Sequence, residues 1–122
     1  MIVLDASAIL ALLREEPGHD LVDQAMESDT AHCGAANWSE VVQKILARGD
    51  NWSAMQQVLE SYDLVIEPVT RLDAEKAAAL WVDRPSLSLG DRLCLALAHR
   101  LGAVAMTADA AWGTGSDIQQ IR

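Results

Sequence analysis

SLGDRLCLALAHRLGAVAMTADAAW runs from Ser88 to Trp112, and its reading decides the architecture. Between Asp91 and Leu101 the residues are apolar nearly all the way round a helical wheel. That pattern predicts a central helix rather than one lying on the surface. Gly102 ends it, as glycine commonly does. The chain re-enters at once as Ala103–Met106, a short apolar run that predicts a strand, and then turns helically over Ala108–Trp112.

Outward from this stretch the same alternation recurs. Residues 1–5 predict a first strand, and Ser7–Glu15 a helix stopped by Pro17-Gly18. His19–Glu27 predicts an amphipathic helix with Leu21, Val22, Ala25 and Met26 on one side. Ala31–Gly34 follows as a small strand. Asn37–Arg48 predicts a helix facing Val41, Ile45 and Leu46 inward, and Trp52–Tyr62 another amphipathic helix with Met55, Val58 and Leu59 on one face. Leu64–Ile66 is a strand ended by Pro68. Thr70–Val82 is a helix packing through Ala77, Ala78 and Trp81, and Ile118–Ile121 is an edge strand. Strands alternating with helices at this spacing imply one mostly parallel sheet of four to five strands, covered on both faces. In such sheets the ligand site lies beyond the carboxyl ends of the strands, where the strand order reverses.

Composition narrows the function. A chain of 122 residues, about half of them apolar, predicts a single folded domain over residues 1–122. No apolar run approaches the ~20 residues of a membrane span. The first residues do not form a signal peptide either, because Asp5 interrupts them, so the expected location is the cytoplasm. Cys33 and Cys94 have no motif spacing and are expected to be buried free thiols. Nine basic residues against 18 acidic ones give a net charge of −9. That balance argues against a conventional nucleic-acid binder and leaves a basic partner or a carboxylate site for divalent cations.

Four acids stand in suggestive places: Asp5 at the end of the first strand, Glu40 and Asp91 heading buried helices, and Asp109 just after a late strand. Each has a structural explanation. Asn37-Trp38-Ser39-Glu40 and Ser88-Leu89-Gly90-Asp91 both read as capping boxes, and Thr107 could cap the turn that carries Asp109. Thr70-Arg71-Leu72-Asp73 has the same form with no chemistry attached. Asp5 fits capping least well, because it lies directly on an apolar strand. Carboxylates converging without basic residues repel one another, an arrangement that makes sense when divalent cations occupy it. Mg²⁺ and Mn²⁺ take such hard oxygen donors, whereas His19, His32 and His99 show no ligand spacing.

IVLDASAIL, the glutamate of NWSEV, SLGDRLCLALAHRLGA and MTADAAW resemble, in order and nearly end to end, the motif blocks of PIN-domain nucleases. The likeness is greatest to the VapC toxins of bacterial type II toxin–antitoxin pairs. It implies a three-layer α/β/α sandwich and a Mg²⁺- or Mn²⁺-dependent endoribonuclease. It also implies a homodimer and a VapB-like antitoxin whose tail crosses the site. Carried over, the family pattern places metal-binding acids on Asp5, Glu40, Asp91 and Asp109, with Ser7 and Thr107 at positions where a hydroxyl orients a carboxylate or a water.

In such a site a bound cation makes hydroxide available for in-line attack on a phosphate. Lys44, Arg48 and Arg92 are the candidate contacts to more distant RNA phosphates, each alternatively part of a solvated helix face. Asp117, in the glycine-rich tail, is a further acid to place. Trp38, Trp52, Trp81 and Trp112 could stack on bases but suit packing better. Two other readings remain at this point: an RNA-processing PIN nuclease with no toxin role, and a PIN-like module that binds a partner without catalysis.

Overall fold

The computed structural model describes all 122 residues. Five strands form one sheet: β1 (Ile2–Leu4), β2 (Ala31–Gly34), β3 (Val65–Glu67), β4 (Val104–Thr107) and β5 (Ile118–Gln120). Every pairing is parallel, in the order β3-β2-β1-β4-β5. Six helices connect and cover them: α1 (Ala6–Leu13), α2 (His19–Ser28), α3 (Ala35–Ala47), α4 (Trp52–Glu60), α5 (Arg71–Asp83) and α6 (Leu89–Leu101). None is long and apolar enough to cross a membrane.

Alternation along the central strands separates two cores. Leu4, Cys33 and Met106 belong to one, packed with buried residues of α1 to α4, including Ile9, Val22, Val41, Ile45 and Leu59. Val3 and Ala105 point the other way and join Leu95, Leu97 and Ala98 of α6, with Trp112 and Ile118. Since successive strand residues face opposite sides, these short apolar runs feed both layers at once. Helix α6 is central as its sequence predicts: Cys94 to Ala98 are five consecutive buried residues, between the sheet and α5. Both cysteines are buried free thiols.

Several inward assignments fail at the helix edges. Leu46 is 61% exposed, Val58 46% and Trp81 55%, and Ala78 is exposed as well. Leu46, Val58 and Ala78 each adjoin a buried residue (Ile45, Leu59, Ala77) but lie a step of about 100° round the helix from it, and Trp81 lies one turn beyond Ala77 toward the end of α5, so the apolar stripe is wider than the buried one. Trp112 is buried, while Trp38 and Trp52 pack edge-to-face with centroids 5.3 Å apart. Of the histidines, His32 is buried against Glu67, Nδ1 to Oε1 3.0 Å.

The feature that positions chemistry is the reversal of strand order. From β1 the chain steps outward to β2 and β3, then returns across β1 to β4 and β5. Leu4 is in register with Met106, and the Asp5 amide donates to the Met106 carbonyl at 3.1 Å. The crevice between the carboxyl ends of β1 and β4 is thus flanked by Asp5 and by the segment Thr107–Asp109.

Candidate active site

Asp5 ends β1 and begins α1. Its Oδ1 accepts from the Ala8 amide at 2.9 Å as the helix N-cap and from the Ser7 hydroxyl at 2.7 Å, while Oδ2 accepts from the Thr107 hydroxyl at 2.8 Å. Ser7 Oγ in turn accepts from the Ala108 amide, and Thr107 Oγ1 from the Asp109 amide. Each hydroxyl has one proton and gives it to Asp5, so the carboxylate is held from α1 on one side and from β4 on the other. The residue is only 4% exposed. Burial pushes its carboxyl above the ordinary value; the bonds from Ser7, Ala8 and Thr107 pull it back, and the charge of Asp91 adds to the rise.

Glu40 is not part of a capping box. Helix α3 begins two residues earlier than its sequence suggests, at Ala35 with Gly34 as N-cap, because the chain leaves β2 straight into two alanines, which are good helix formers. Asn37 therefore lies inside the first turn. Its Nδ2 donates to Glu40 Oε1 at 3.1 Å and to the Gly90 carbonyl on α6 at 3.0 Å. Burial raises the Glu40 carboxyl, the Asn37 bond lowers it, Asp91 raises it further, and Lys44 one turn along lowers it. Asp91 does close a capping box, exchanging bonds with Ser88 at 3.1 and 3.2 Å at the start of α6. Asp73 does the same with Thr70 and is also gripped by Arg100, as befits a purely structural acid.

Asp5 and Glu40 therefore each sense the charge of Asp91. The buried thiols register the same field: burial raises Cys94, and the charges of Asp5, Asp91 and Glu40 raise it further. Cys33 is pushed up to about 12 by burial and then by Asp5 and Glu40. Asp109 stands at the rim, exposed, with its Oδ1 capping the short turn Ala110–Trp112 through the Ala111 amide. Gln120 on β5 ties that turn down by donating to the Asp109 and Gly113 carbonyls, both at 2.9 Å.

The remaining candidates separate. Lys44 on α3 and Arg48 just past its end are exposed, beyond Glu40. Arg92 is engaged elsewhere: its guanidinium donates to the carbonyls of Ala77 (2.7 Å) and Leu87 (3.3 Å), fastening α6 to α5. The side chain next to Asp91 in sequence is turned about 100° from it on the helix. Asp117 immediately precedes β5, at the amino ends of the strands, and lines a separate recess with Lys76, Arg84 and His99. It does not join Asp5. Sequence reading missed the bridging role of Asn37 and the parts played by Gly90 and Gln120; only the Asn-x-x-Glu spacing had drawn attention to the first.

No three of the His, Cys, Asp and Glu side chains come together as a group that could hold a metal ion. The donor set nonetheless suits Mg²⁺ or Mn²⁺, which bind through one or two carboxylates and keep several waters. Mutually repelling acids, one of them fixed in orientation at both oxygens, are a fitting anchor for such an ion.

A sequence profile of the PIN domain matches residues 2–113. No curated protein matches the chain significantly. Among solved structures, the chain is similar to a toxin–antitoxin complex from Klebsiella pneumoniae (TM-score 0.77, 17% identity, covering 100% of this chain and 98% of that one). It is also similar to VapBC2 from Rickettsia felis, solved bound to a DNA fragment from its promoter (0.73, 13%, covering 98% of each). A third is PAE2754 from Pyrobaculum aerophilum (0.66, 18%, covering 96% and 81%). At these identities what is shared is the fold.

Proposed function

The chain belongs to the PIN-domain family, and from that premise we propose that it is a metal-dependent endoribonuclease acting in the cytoplasm as the toxin of a type II toxin–antitoxin pair. The observation that carries the proposal is Asp5. It is a buried carboxylate at the switch point of a parallel sheet, oriented by two hydroxyls and lifted further by Asp91. PIN domains are generally nucleases, and the toxin–antitoxin complexes of the same fold support the toxin role.

In this reading Asp5, Glu40 and Asp91 hold Mg²⁺ or Mn²⁺, and Asp109 contributes from the rim. A divalent ion so held supplies a water of lowered pKa and offsets charge on the scissile phosphate. Ser7 and Thr107 fix the Asp5 carboxylate, and the Ser88 box fixes the backbone entering Asp91. Lys44 and Arg48 take phosphates of the RNA strand away from the cut. The α1–α2–α4 side offers a recess of about 420 Å³ with an apolar floor (Leu12, Leu13, Met55, Val58) and acidic rim residues Glu15 and Asp23. It suits an apolar, basic segment of the antitoxin. Homodimerisation belongs to the same proposal, supported by Leu72, Trp81 and Val82 standing exposed on α5.

The test is cleavage of a mixed RNA pool by purified protein with Mg²⁺, Mn²⁺ or EDTA, alongside Asp5→Asn and induced expression in a growing culture. Metal-dependent cleavage, lost in the variant, with growth arrest reversed by the adjacent small open reading frame, is the expected result. Cleavage without growth arrest would remove the toxin role, and cleavage that survives Asp5→Asn would remove the site.

A further inference from the structure

We propose that Asn37, together with Gly90 facing it, is a positioning device that sets where the Glu40 carboxylate stands relative to Asp91. The inference rests on the nuclease reading above and assigns to that site two residues outside its acids and hydroxyls.

Asn37 is 2% exposed and bridges two helices. Both Nδ2 protons are committed, one to Glu40 Oε1 and one to the Gly90 carbonyl. The amide cannot be reversed, because its oxygen would then face two acceptors. In the orientation it has, Oδ1 is buried with no partner. Leaving a buried acceptor unmet destabilises a fold, and an apolar residue of similar size would avoid it. Asparagine here is therefore poorly explained by stability.

Gly90 is anomalous in the same sense. It lies within the first turn of α6 and has no positive φ, so nothing in its backbone calls for glycine, and alanine is the better helix former. A Cβ at this position, however, would lie 2.4 Å from Glu40 Oε1 and 3.1 Å from its Cδ. The missing side chain is the space that Glu40 occupies. Two locally unfavourable choices, on facing helices and 53 residues apart, thus meet at a single carboxylate oxygen. One supplies a hydrogen bond to it and the other supplies room. Because Gly90 directly precedes Asp91, pinning Oε1 there fixes the Glu40–Asp91 relation, which α3 and α6 alone would leave to a flexible side chain.

Mn²⁺ affinity, measured calorimetrically on the full chain, tests this with Asn37→Ala, Gly90→Ala, Glu40→Ala and the two doubles that include Glu40→Ala. Outer-shell supports of metal ligands typically contribute ~10–100-fold in affinity. Asn37→Ala and Gly90→Ala should each weaken Mn²⁺ binding by about tenfold or more. Gly90→Ala, melted in EDTA, should be no less stable than wild type, since the clash is with the free end of a side chain. On the Glu40→Ala background neither substitution should weaken binding further. A merely structural role would persist in that background, and its effect on binding would track the melting temperature. Wild-type Mn²⁺ affinity in both single variants, with binding abolished by Asp5→Asn, would overturn the positioning role and leave the nuclease reading intact. If the wild type neither bound Mn²⁺ nor cleaved RNA, that reading would fall and this inference with it.

Discussion

Replacing Asp5 by asparagine isolates the charge from the geometry. The carboxylate accepts three bonds, two at Oδ1 and one at Oδ2. Asparagine keeps one acceptor, which can serve Ala8 and Ser7, and puts an amino group opposite Thr107. The Thr107 hydroxyl can turn to accept it, because the Ser7 oxygen, 3.3 Å away, stands ready to take the Thr107 proton. The network thus has a second satisfied arrangement. Its environment, moreover, favours an uncharged group at this position, since burial and Asp91 together outweigh the bonds and raise the carboxyl. In EDTA the variant should melt at or above the wild-type temperature. If the hydroxyls could not rearrange, one unmet buried group would cost ~1–3 kcal/mol. With an unfolding entropy of about 2.1 cal/mol/K per residue, roughly 0.26 kcal/mol/K for this chain, that is a fall of about 4–12 °C. Mn²⁺ at a hundred times its dissociation constant should add ~2.7 kcal/mol, about 10 °C, to the wild type and far less to the variant. Melts by circular dichroism, with and without metal, read both effects. A fall of more than about 4 °C in EDTA with no Mn²⁺ response in the wild type would refute the reasoning, making Asp5 a helix cap and nothing more.

Three further outcomes follow from the structure. Gly18 has φ +94°, and a Cβ there would lie 2.4 Å from the Ile121 carbonyl oxygen, so Gly18→Ala should cost ~2–4 kcal/mol by denaturant melt; an unchanged midpoint would contradict it. Burial pushes Asp73 up, but the Arg100 and Thr70 bonds outweigh it and hold the carboxyl low. Its stabilisation is therefore present above the unfolded value near 3.9 and lost as pH falls through the lower folded value. Asp5 and Glu40, both raised, act oppositely: the cost of ionising them disappears as pH falls from their folded values toward ~4. In EDTA, urea melts should show stability rising as pH falls toward about 4 and falling again below it, with Arg100→Leu blunting the acid limb. Finally, Val58→Glu places a charge in the α1–α2–α4 recess at a half-exposed site and should leave melting unchanged while cutting antitoxin co-purification by about tenfold or more.

The sheet was legible because its strands are short, apolar and separated by helix-length segments, and Ala31–Gly34 falls on the predicted residues. So was the place of Asp5, since a parallel sheet ends its strands at one edge. Legibility failed where a contact is tertiary. Asn-x-x-Glu matches a capping box in spacing, yet the start of α3 is set by where β2 releases the chain, and the true partner of Asn37 is a carbonyl on another helix. Arg92 looked free beside Asp91, but which way an adjacent helical residue faces depends on what packs there, in this case α5. Leu46, Val58 and Trp81 were assigned inward for the same reason: periodicity gives the centre of a helix face and not how far its neighbours reach round it.

The Asp5–Thr107 bond spans nearly the whole chain. The acid is made among the first residues, and the hydroxyl that orients it comes 102 residues later. At ~5–20 residues per second of synthesis, the first half of the protein exists for seconds as two strands and their helices with no β4 to pair against. Strand pairing across such a separation also comes late in folding, because the loop must close before the contact rewards it. Asp5 is thus held in this orientation only once the chain is nearly complete. A chain that ends before β4 leaves the aspartate without its one bond at Oδ2, so completion of synthesis is itself a condition for the full cradle.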